Sequence, residues 1–303
     1  MKKIILLLIS FLPIMSCSKW TDVEPIVYKH NNAVAKDQNA WLIYASKVKQ
    51  WKSRKHYLSY VRMANSPTSA SSEKDYMRCL PDSLDIVSLT NAENLSEFDR
   101  EDVVRMHQLG TKVLYQLDFD SKMAELSDVQ SLGQWVDSAV DIVSKEDLDG
   151  WSFTGTPLYT DSFRAEASAL IVQKLTSSRK QGQLIVFEGN PMFIAAADRN
   201  AIDYYVLATD TATHIAEVKS AVTNATGYAG VSATKILLSA KISAEITDES
   251  KLTQNALTDL TPRVINLGPL AGIAVYDIAS DYYDAYGNYP QLKKAIQTLN
   301  PAK

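Results

Sequence analysis

The chain has 303 residues, of which 46% are hydrophobic and 22% are charged, and its formal net charge is −4. This composition is typical of a globular protein with one large core or two small ones. A mildly acidic chain argues against a nucleic-acid partner, because nucleic-acid binding requires a basic surface. The four histidines have no metal-ligand spacing, and the chain has no P-loop and no Gly-x-Ser-x-Gly turn. The sequence therefore predicts neither a cofactor nor a metal site.

The first residues are predicted to be an export signal rather than part of a core. Lys2 and Lys3 precede an apolar run from Ile4 to Leu12, which is too short to cross a membrane as a stable helix. The tetrapeptide Ile-Met-Ser-Cys that ends at Cys17 resembles the lipoprotein box of bacteria. This resemblance implies that residues 1–16 are a lipoprotein signal peptide and that Cys17 is lipidated.

Residues 17–36 are predicted to be a tether that holds the folded domain away from a membrane, since they contain Pro25, His30 and paired asparagines. With Ser18 after the lipidated cysteine, the protein is expected at the outer membrane, anchored by lipid on the cell surface. The remaining cysteine, Cys79, would have no partner for an intramolecular disulfide. It is expected to pack as a small apolar residue.

From residue 37 onward the pattern predicts one helix and then eight short strands. Trp41, Ala45 and Val48 recur at helical spacing within residues 37–54. The strands are predicted at His56–Met63, Ser83–Thr90, Thr111–Phe119, Leu148–Gly155, Gln183–Gly189, Asp203–Thr209, Thr234–Ile242 and Leu270–Ile278. Helical segments lie between them at Glu97–Gly110, Val129–Lys145 and Asp161–Arg179, and a last one closes the chain at Gln291–Leu299.

Short, apolar, β-branched strands separated by helices indicate parallel strands with crossover helices. Eight such units favour an α/β fold, a single-domain (β/α)8 TIM barrel over residues 37–303 that includes the N-terminal helix. A doubly wound open sheet is the alternative. It is disfavoured because Asn65, Ser66 and Pro67 follow the first strand, where a nucleotide-binding fold carries a Gly-rich turn.

Functional residues of a TIM barrel lie at the C-terminal ends of its strands. Polar residues are predicted at these ends at Asn65, Asn91, Asp118, Asp120, 152–156, Glu188, Asn190, Asp210 and Asp277. Asp161 and Asn200 are instead expected to cap helices. A tyrosine-rich segment from Tyr276 to Tyr289 follows the eighth strand, and Tyr276 and Asp277 are its best-placed candidates for contact with a ligand.

The stretch "DGWSFTGT" on the fourth strand resembles the motif of glycoside hydrolase family 18, D-G-φ-D-φ-D-x-E, in which φ is apolar. Asp149-Gly150-Trp151 fits the start of the motif and Phe153 fits the second apolar position. The three inner acid positions fall on Ser152, Thr154 and Thr156. In the family the last acid is the general acid, and the one before it positions the acetamido group of the substrate. Because strand side chains alternate, the three hydroxyls are expected to point into the barrel and Trp151 outward.

The resemblance implies a cell-surface lipoprotein that binds N-acetylglucosamine-containing glycans, such as N-glycans, and has no catalytic residue. Outer-membrane glycan-uptake proteins are its expected partners. The predicted glycan-binding residues are Asp118, Asp149, Ser152, Thr154, Thr156, Glu188, Asn190, Asp210, Tyr276 and Asp277. One alternative is an active endo-β-N-acetylglucosaminidase whose acid is supplied elsewhere, with Glu188 or Asp118 as candidates. Another is a structural or interaction protein that uses the barrel only as a scaffold.

Overall fold

The computed structural model describes residues 37–65, 72–126, 128–283 and 287–301. The predicted signal peptide, the tether and Cys17 lie outside these residues. The described residues from 42 onward form one compact unit, and residues 37–41 belong to the preceding one. Within the described residues, no helix is both long and apolar enough to cross a membrane.

Eight parallel strands close into a barrel, as the sequence predicts. They are β1 (Leu58–Met63), β2 (Ile86–Leu89), β3 (Lys112–Leu117), β4 (Gly150–Gly155), β5 (Leu184–Gly189), β6 (Tyr204–Leu207), β7 (Ile236–Lys241) and β10 (Gly272–Tyr276). Each strand of the barrel pairs with the preceding and the following barrel strand, so β7 pairs with β6 and β10, and β1 pairs with β10 to close the ring. Strands β8 (Glu245–Thr247) and β9 (Thr253–Asn255) form a separate antiparallel hairpin that the sequence pattern did not predict.

Eight α-helices accompany the barrel within the described residues. They are α1 (Gln38–Lys52), α2 (Glu97–Leu109), α3 (Phe119–Lys122), α4 (Val129–Lys145), α5 (Ser162–Ser178), α6 (Ile215–Thr223), α7 (Ala256–Asn266) and α8 (Pro290–Leu299). Local signals set several boundaries: Ser96 and Asp99 form a capping box on α2, and Gly110 ends that helix in the left-handed conformation. Asp161 caps α5 as expected. Asn200 caps no α-helix, because it lies within a 3₁₀ turn before β6.

The side chains of the strands divide into two layers. One apolar cluster lies inside the barrel and comprises Tyr60, Ile86, Leu114, Val186, Val206, Leu237, Ala274 and Tyr276. A second, larger cluster lies between the strands and the helices and includes Trp151 and Phe153. The indole Nε1 of Trp151 donates to the carbonyl of Ala139 in α4 over 3.4 Å. Strand β4 therefore has the predicted register, with its aromatic side chains outside the barrel.

Three aspartates repeat one arrangement at the N-terminal ends of the even strands β2, β4 and β6. Asp85, Asp149 and Asp203 each precede a strand, and each accepts a hydrogen bond from a backbone N–H of the preceding strand, at Ser59, Val113 and Ile185 respectively. Each carboxylate also faces a basic side chain, respectively His56, His107 and Arg179. These contacts fasten neighbouring strands together at the end of the barrel opposite the expected site.

Candidate functional site at the barrel mouth

Glu188, near the end of β5, lies at the centre of a polar cluster inside the barrel. Its Oε1 accepts hydrogen bonds from the hydroxyls of Tyr60 and Ser152, both at 2.8 Å, and from Nε2 of Gln116 at 3.0 Å. Its Oε2 accepts from the hydroxyl of Tyr276 at 2.6 Å. All five residues are buried. Burial, together with the Glu188 charge, raises the pKa of both tyrosines well above the ordinary value, so both phenols stay protonated and donate.

Arg62, the inward-facing residue near the end of β1, lies above this cluster. Its guanidinium carbon is 3.7 Å from the centre of the Tyr276 ring, and its Nη1 is 3.6 Å from Oε2 of Glu188. The Arg62 side chain is 31% exposed, whereas that of Glu188 is 3% exposed. The sequence prediction missed Arg62. Its alternation with Leu58 and Tyr60 along β1 was the available signal.

The three hydroxyls of β4 run from the buried centre to the rim. Ser152 is fully buried and exchanges a 2.7 Å hydrogen bond with Ser88 on β2. Thr154, half-buried, donates to Oδ1 of Asp118 at 2.8 Å. Thr156, exposed, donates to Oδ2 of Asp120 at 2.8 Å. Ser152 and Thr154 therefore point into the barrel as predicted, whereas Thr156 lies just beyond the strand at the rim. Each hydroxyl has an oxygen partner on a neighbouring strand or on the segment that follows it.

The two carboxylates that follow β3 are bound by their surroundings. Asp118 caps α3 by accepting from the backbone N–H of Ser121, and its other oxygen accepts from the Ser121 hydroxyl at 2.7 Å. Asp120 accepts from Nη1 of Arg164 at 2.8 Å and from the backbone N–H of Thr156 at 3.2 Å. Arg164 also donates to the carbonyl of Thr156, which fixes the start of the loop after β4.

Three other predicted residues lie elsewhere around the rim. Asp210, after β6, forms an ion pair with Lys241 at 3.1 Å and accepts from the Ser239 hydroxyl at the same distance. Asn190, after β5, is exposed, caps a 3₁₀ turn and lines a groove of about 610 Å³ beside α6. Asp277, after β10, is exposed and accepts from the Ser280 hydroxyl at 2.7 Å.

The tyrosines after β10 have mixed roles. Tyr282 and Tyr289 are buried and pack edge to face, with ring centres 5.4 Å apart. The hydroxyl of Tyr282 donates to Glu73 in the segment after β1. Tyr283 is 76% exposed. Tyr286 and Asp284 lie outside the described residues. The segment therefore supplies both packing and one largely exposed aromatic ring, that of Tyr283, which meets the Tyr282 ring edge to face.

The assignment of Asp149 to the site needs correction. Its carboxylate accepts from His107 at 2.8 Å and from Lys112 at 2.7 Å, at the N-terminal end of β4. The reason is its position before the strand, because the six residues of β4 separate it from the mouth by about 20 Å. Gly150 is structural as well: its φ is +126°, and a Cβ there would lie 2.0 Å from the carbonyl oxygen of Leu184.

The mouth is therefore a ring of hydrogen-bonding groups whose carboxylates are already occupied. Asp118, Asp120, Glu188, Asp210 and Asp277 each accept hydrogen bonds from neighbouring side chains. Within the described ranges, no group of three or more His, Cys, Asp or Glu side chains is arranged to hold a metal ion. Such a ring suits recognition of a polar ligand by hydrogen bonds.

Comparison with known proteins places this architecture in a defined structural class. No family model matches the chain. No curated protein matches it either. Among solved structures, its neighbours are chitinases and endo-β-N-acetylglucosaminidases with the same eight-stranded parallel barrel, including enzymes of glycoside hydrolase family 18.

Three neighbours illustrate the likeness. The protein BT1044 is 16% identical, with a TM-score of 0.71, over 88% of this chain and 95% of that one. An endo-β-N-acetylglucosaminidase from Cordyceps militaris is 16% identical, with a TM-score of 0.62, over 86% and 96%. The family 18 chitinase ChiB from Flavobacterium johnsoniae is 11% identical, with a TM-score of 0.60, over 81% and 96%. A doubly substituted form of the Cordyceps enzyme is known in complex with fucosyl-N-acetylglucosamine-Asn. At these identities the likeness shows the fold.

Proposed function

We propose that this protein binds N-acetylglucosamine-containing glycans at the mouth of its barrel and does not hydrolyse them. The observation that carries the proposal is the hydroxyl row of β4. Ser152 and Thr154 turn inward, and Thr156 lies exposed at the rim, at the three positions where the family 18 motif has acids. The scaffold of the motif is kept while its carboxylates are absent.

The missing acid bears directly on the reaction. In the substrate-assisted mechanism, the acetamido oxygen of the sugar attacks and one protein carboxylic acid protonates the leaving oxygen. The hydroxyl of Thr156 ionises far above neutral pH and does not serve as that acid. Loss of a positioned general acid costs about 10²–10⁴ in rate. Loss of the acetamido-positioning acid at Thr154 removes a further contribution.

The nearby carboxylates are poor replacements. Glu188 has a side chain that is 3% exposed, beneath Arg62, and it is surrounded by four hydrogen-bond donors. Asp120 is held by Arg164 and by Thr156 itself. A general acid must present a proton to the glycosidic oxygen within hydrogen-bond reach. Both carboxylates instead serve as acceptors within the protein.

Glycan binding is supported by the chemistry of the mouth and by the neighbours. Carbohydrates are recognised by aromatic faces together with convergent hydrogen-bonding groups. The exposed ring of Tyr283 and the exposed side chains of Asn190 and Asp277 offer both at the same end of the barrel. The complex of the Cordyceps enzyme with fucosyl-N-acetylglucosamine-Asn indicates the ligand class to test first.

We further propose that the barrel is lipid-anchored through Cys17 at the outer membrane, on the cell surface, where it passes glycans to uptake proteins. The ordered basic start, apolar run and box of residues 1–17 support this proposal. Incorporation of labelled palmitate into the full chain in a bacterial host should be lost in Cys17→Ala. Labelling that persists in the variant would remove the anchor from the proposal.

The decisive experiment is a proton NMR titration of residues 18–303 against a biantennary and a high-mannose N-glycan. Sugar resonances should shift or broaden and then saturate, and no new reducing-end signal should appear over a day. Growth of reducing-end signals would overturn the proposal in favour of an enzyme with a non-standard acid. Absence of both changes would favour a scaffold protein.

A blocking variant locates the binding surface. Thr156 is exposed at the rim, so Thr156→Trp adds a bulky ring over the mouth without entering the core. The matched control is Tyr228→Trp, because Tyr228 is 79% exposed and lies away from the mouth. Its helical turn is followed by Ala229, whose carbonyl accepts a hydrogen bond from Arg199, and Arg199 precedes the N-terminal end of β6. Binding should be lost in the first variant and kept in the second. Equal loss in both would place the glycan away from the mouth.

A further inference from the structure

The β1, β10 and β7 side of the mouth carries two cations on one level. Tyr276 of β10 is in register with Lys241 of β7, and Val275 with Val61 of β1, so that Arg62 is the next residue beside Tyr276. Neighbouring strands are about 4.8 Å apart, which puts the Cα atoms of Arg62 and Lys241 about 10 Å apart. The three side chains therefore form a row, Arg62–Tyr276–Lys241, across adjacent strands.

Each cation of this row covers its own carboxylate. The Arg62 side chain is 31% exposed above Glu188, whose side chain is 3% exposed. The Lys241 side chain is 40% exposed above Asp210, whose side chain is 10% exposed. On this side of the mouth, the N–H donors of Arg62 and Lys241 are therefore more exposed than the carboxylates with which they pair.

The Arg62 end of the row is also held in place by neighbouring side chains. The guanidinium of Arg62 stacks on the Tyr276 ring at 3.7 Å, and the Tyr276 hydroxyl is bonded to Glu188. A planar guanidinium held in this way is suited to a carboxylate or sulfate, which it binds through two parallel hydrogen bonds. The exposed carboxylate that follows the row, Asp277, accepts bonds from Ser280 and Ser243.

We infer that the Arg62–Tyr276–Lys241 row is a subsite for an acidic sugar, that is, a glycan unit bearing a carboxylate or a sulfate. The inference rests on the proposed glycan-binding function and assigns it a ligand class. In this arrangement, the hydroxyls and amides on the β3, β4 and β5 side would bind the neutral sugars of the glycan. The acidic unit of the same glycan would lie on the opposite side of the mouth.

The test compares three biantennary N-glycans by isothermal titration calorimetry: one sialylated, one without sialic acid, and one sulfated on N-acetylglucosamine. The sialylated or the sulfated glycan should bind at least about tenfold more tightly than the neutral one, since hydrogen bonds between charged groups are the stronger ones. The comparison of these two distinguishes a carboxylate from a sulfate. The advantage should shrink as the salt concentration rises.

Arg62→Gln and Lys241→Gln should each reduce the ratio of acidic-glycan affinity to neutral-glycan affinity toward one. Arg100→Gln is the matched control, because Arg100 also pairs with a shielded carboxylate, Glu146, on the outer helices. Arg62 contacts the buried Glu188 cluster, so Arg62→Gln removes an interaction that also supports the fold. Lys241 lies outside that cluster, so Lys241→Gln is the variant expected to fold normally. Equal affinities for all three glycans would overturn the subsite and leave glycan binding intact. Binding of none would overturn both.

Discussion

At the scale of single residues, Glu188 shows what a sequence pattern predicts and what it does not. Its position near the end of β5 predicts an inward carboxylate near the mouth, and it is inward. The sequence did not indicate its surroundings, because Tyr60, Gln116 and Tyr276 come from three other strands and meet only when the barrel closes. Local alternation gives the direction of a side chain, whereas its partners depend on the whole ring.

Replacement of Glu188 should destabilise the protein strongly. Glu188→Ala leaves the hydroxyls of Tyr60 and Tyr276 and the amide of Gln116 without their acceptor, and each buried orphan costs about 1–3 kcal/mol. We expect a loss of about 3–5 kcal/mol in the free energy of unfolding, measured by urea denaturation. Glu188→Gln keeps one acceptor oxygen and should lose less.

The rim provides the control for this prediction. The Asp120 side chain is 33% exposed, so water can satisfy the groups that Asp120→Ala releases. We expect a loss of about 1 kcal/mol or less for that variant. Similar losses at Glu188 and Asp120 would contradict the central role of the Glu188 cluster.

At the scale of elements, the lower ends of the even strands explain the one misplaced site residue. The "DG" of the motif predicts the start of β4 correctly. Asp149 fastens β4 to β3 through the N–H of Val113. Although burial opposes it, hydrogen bonds from His107, Lys112 and Val113 hold the pKa of Asp149 below its ordinary value. The resemblance to a catalytic motif predicted a glycan-binding role for Asp149, whereas the start of strand β4 is enough to account for an aspartate at this position.

The same contact predicts a pH dependence. The hydrogen bond to Asp149 raises the pKa of His107 above its ordinary value of 6.5. Because the folded pKa is the higher one, this stabilisation is fully present below pH 6.5 and is lost as the pH rises through the folded value. The difference in unfolding free energy between the wild type and His107→Gln should therefore shrink from about pH 6 to pH 8.

The measurement is urea denaturation of both proteins across that pH range. His56 beside Asp85 titrates in both proteins, so its contribution cancels in the difference. A difference that stays constant or grows with pH would show that the His107 charge does not stabilise the fold.

At the scale of the whole molecule, the sequence predicted the closed barrel because eight separate strand signals, each weak, agree on one architecture. The pattern did not predict the hairpin β8–β9 or the helices α6 and α7, whose apolar faces are short. It also did not predict the contact that joins the residue before β1 to the residue after α8. Asn300, just after α8, accepts from the N–H of Tyr57 at 2.9 Å and donates to its carbonyl at 2.8 Å.

This clasp joins the two ends of the barrel sequence. Asn300→Ala removes both hydrogen bonds and should lower the free energy of unfolding by about 1–2 kcal/mol. Thermal denaturation followed by circular dichroism should still give one transition at a lower temperature. Asn94→Ala, which breaks an exposed bond to Asn91, should change stability by less than about 0.5 kcal/mol. Equal shifts for the two variants would mean that the clasp contributes nothing.

The pairing of Asp149 with Gly150 has a consequence for how such barrels are recognised in genomes. Asp149 fastens two strands, and Gly150 fits where a Cβ would strike the Leu184 carbonyl, so both residues are required by the fold. In the resemblance to glycoside hydrolase family 18, the acid positions further along the motif are the ones assigned to catalysis. The eight positions of the motif thus fall into two independent groups, one required by the fold and one assigned to catalysis. Under the proposed glycan-binding function, a chain that keeps the first two residues of the motif but not its acids has the barrel fold without the hydrolysis. Counting such a chain as a hydrolase would overstate the glycan-degrading capacity of its organism.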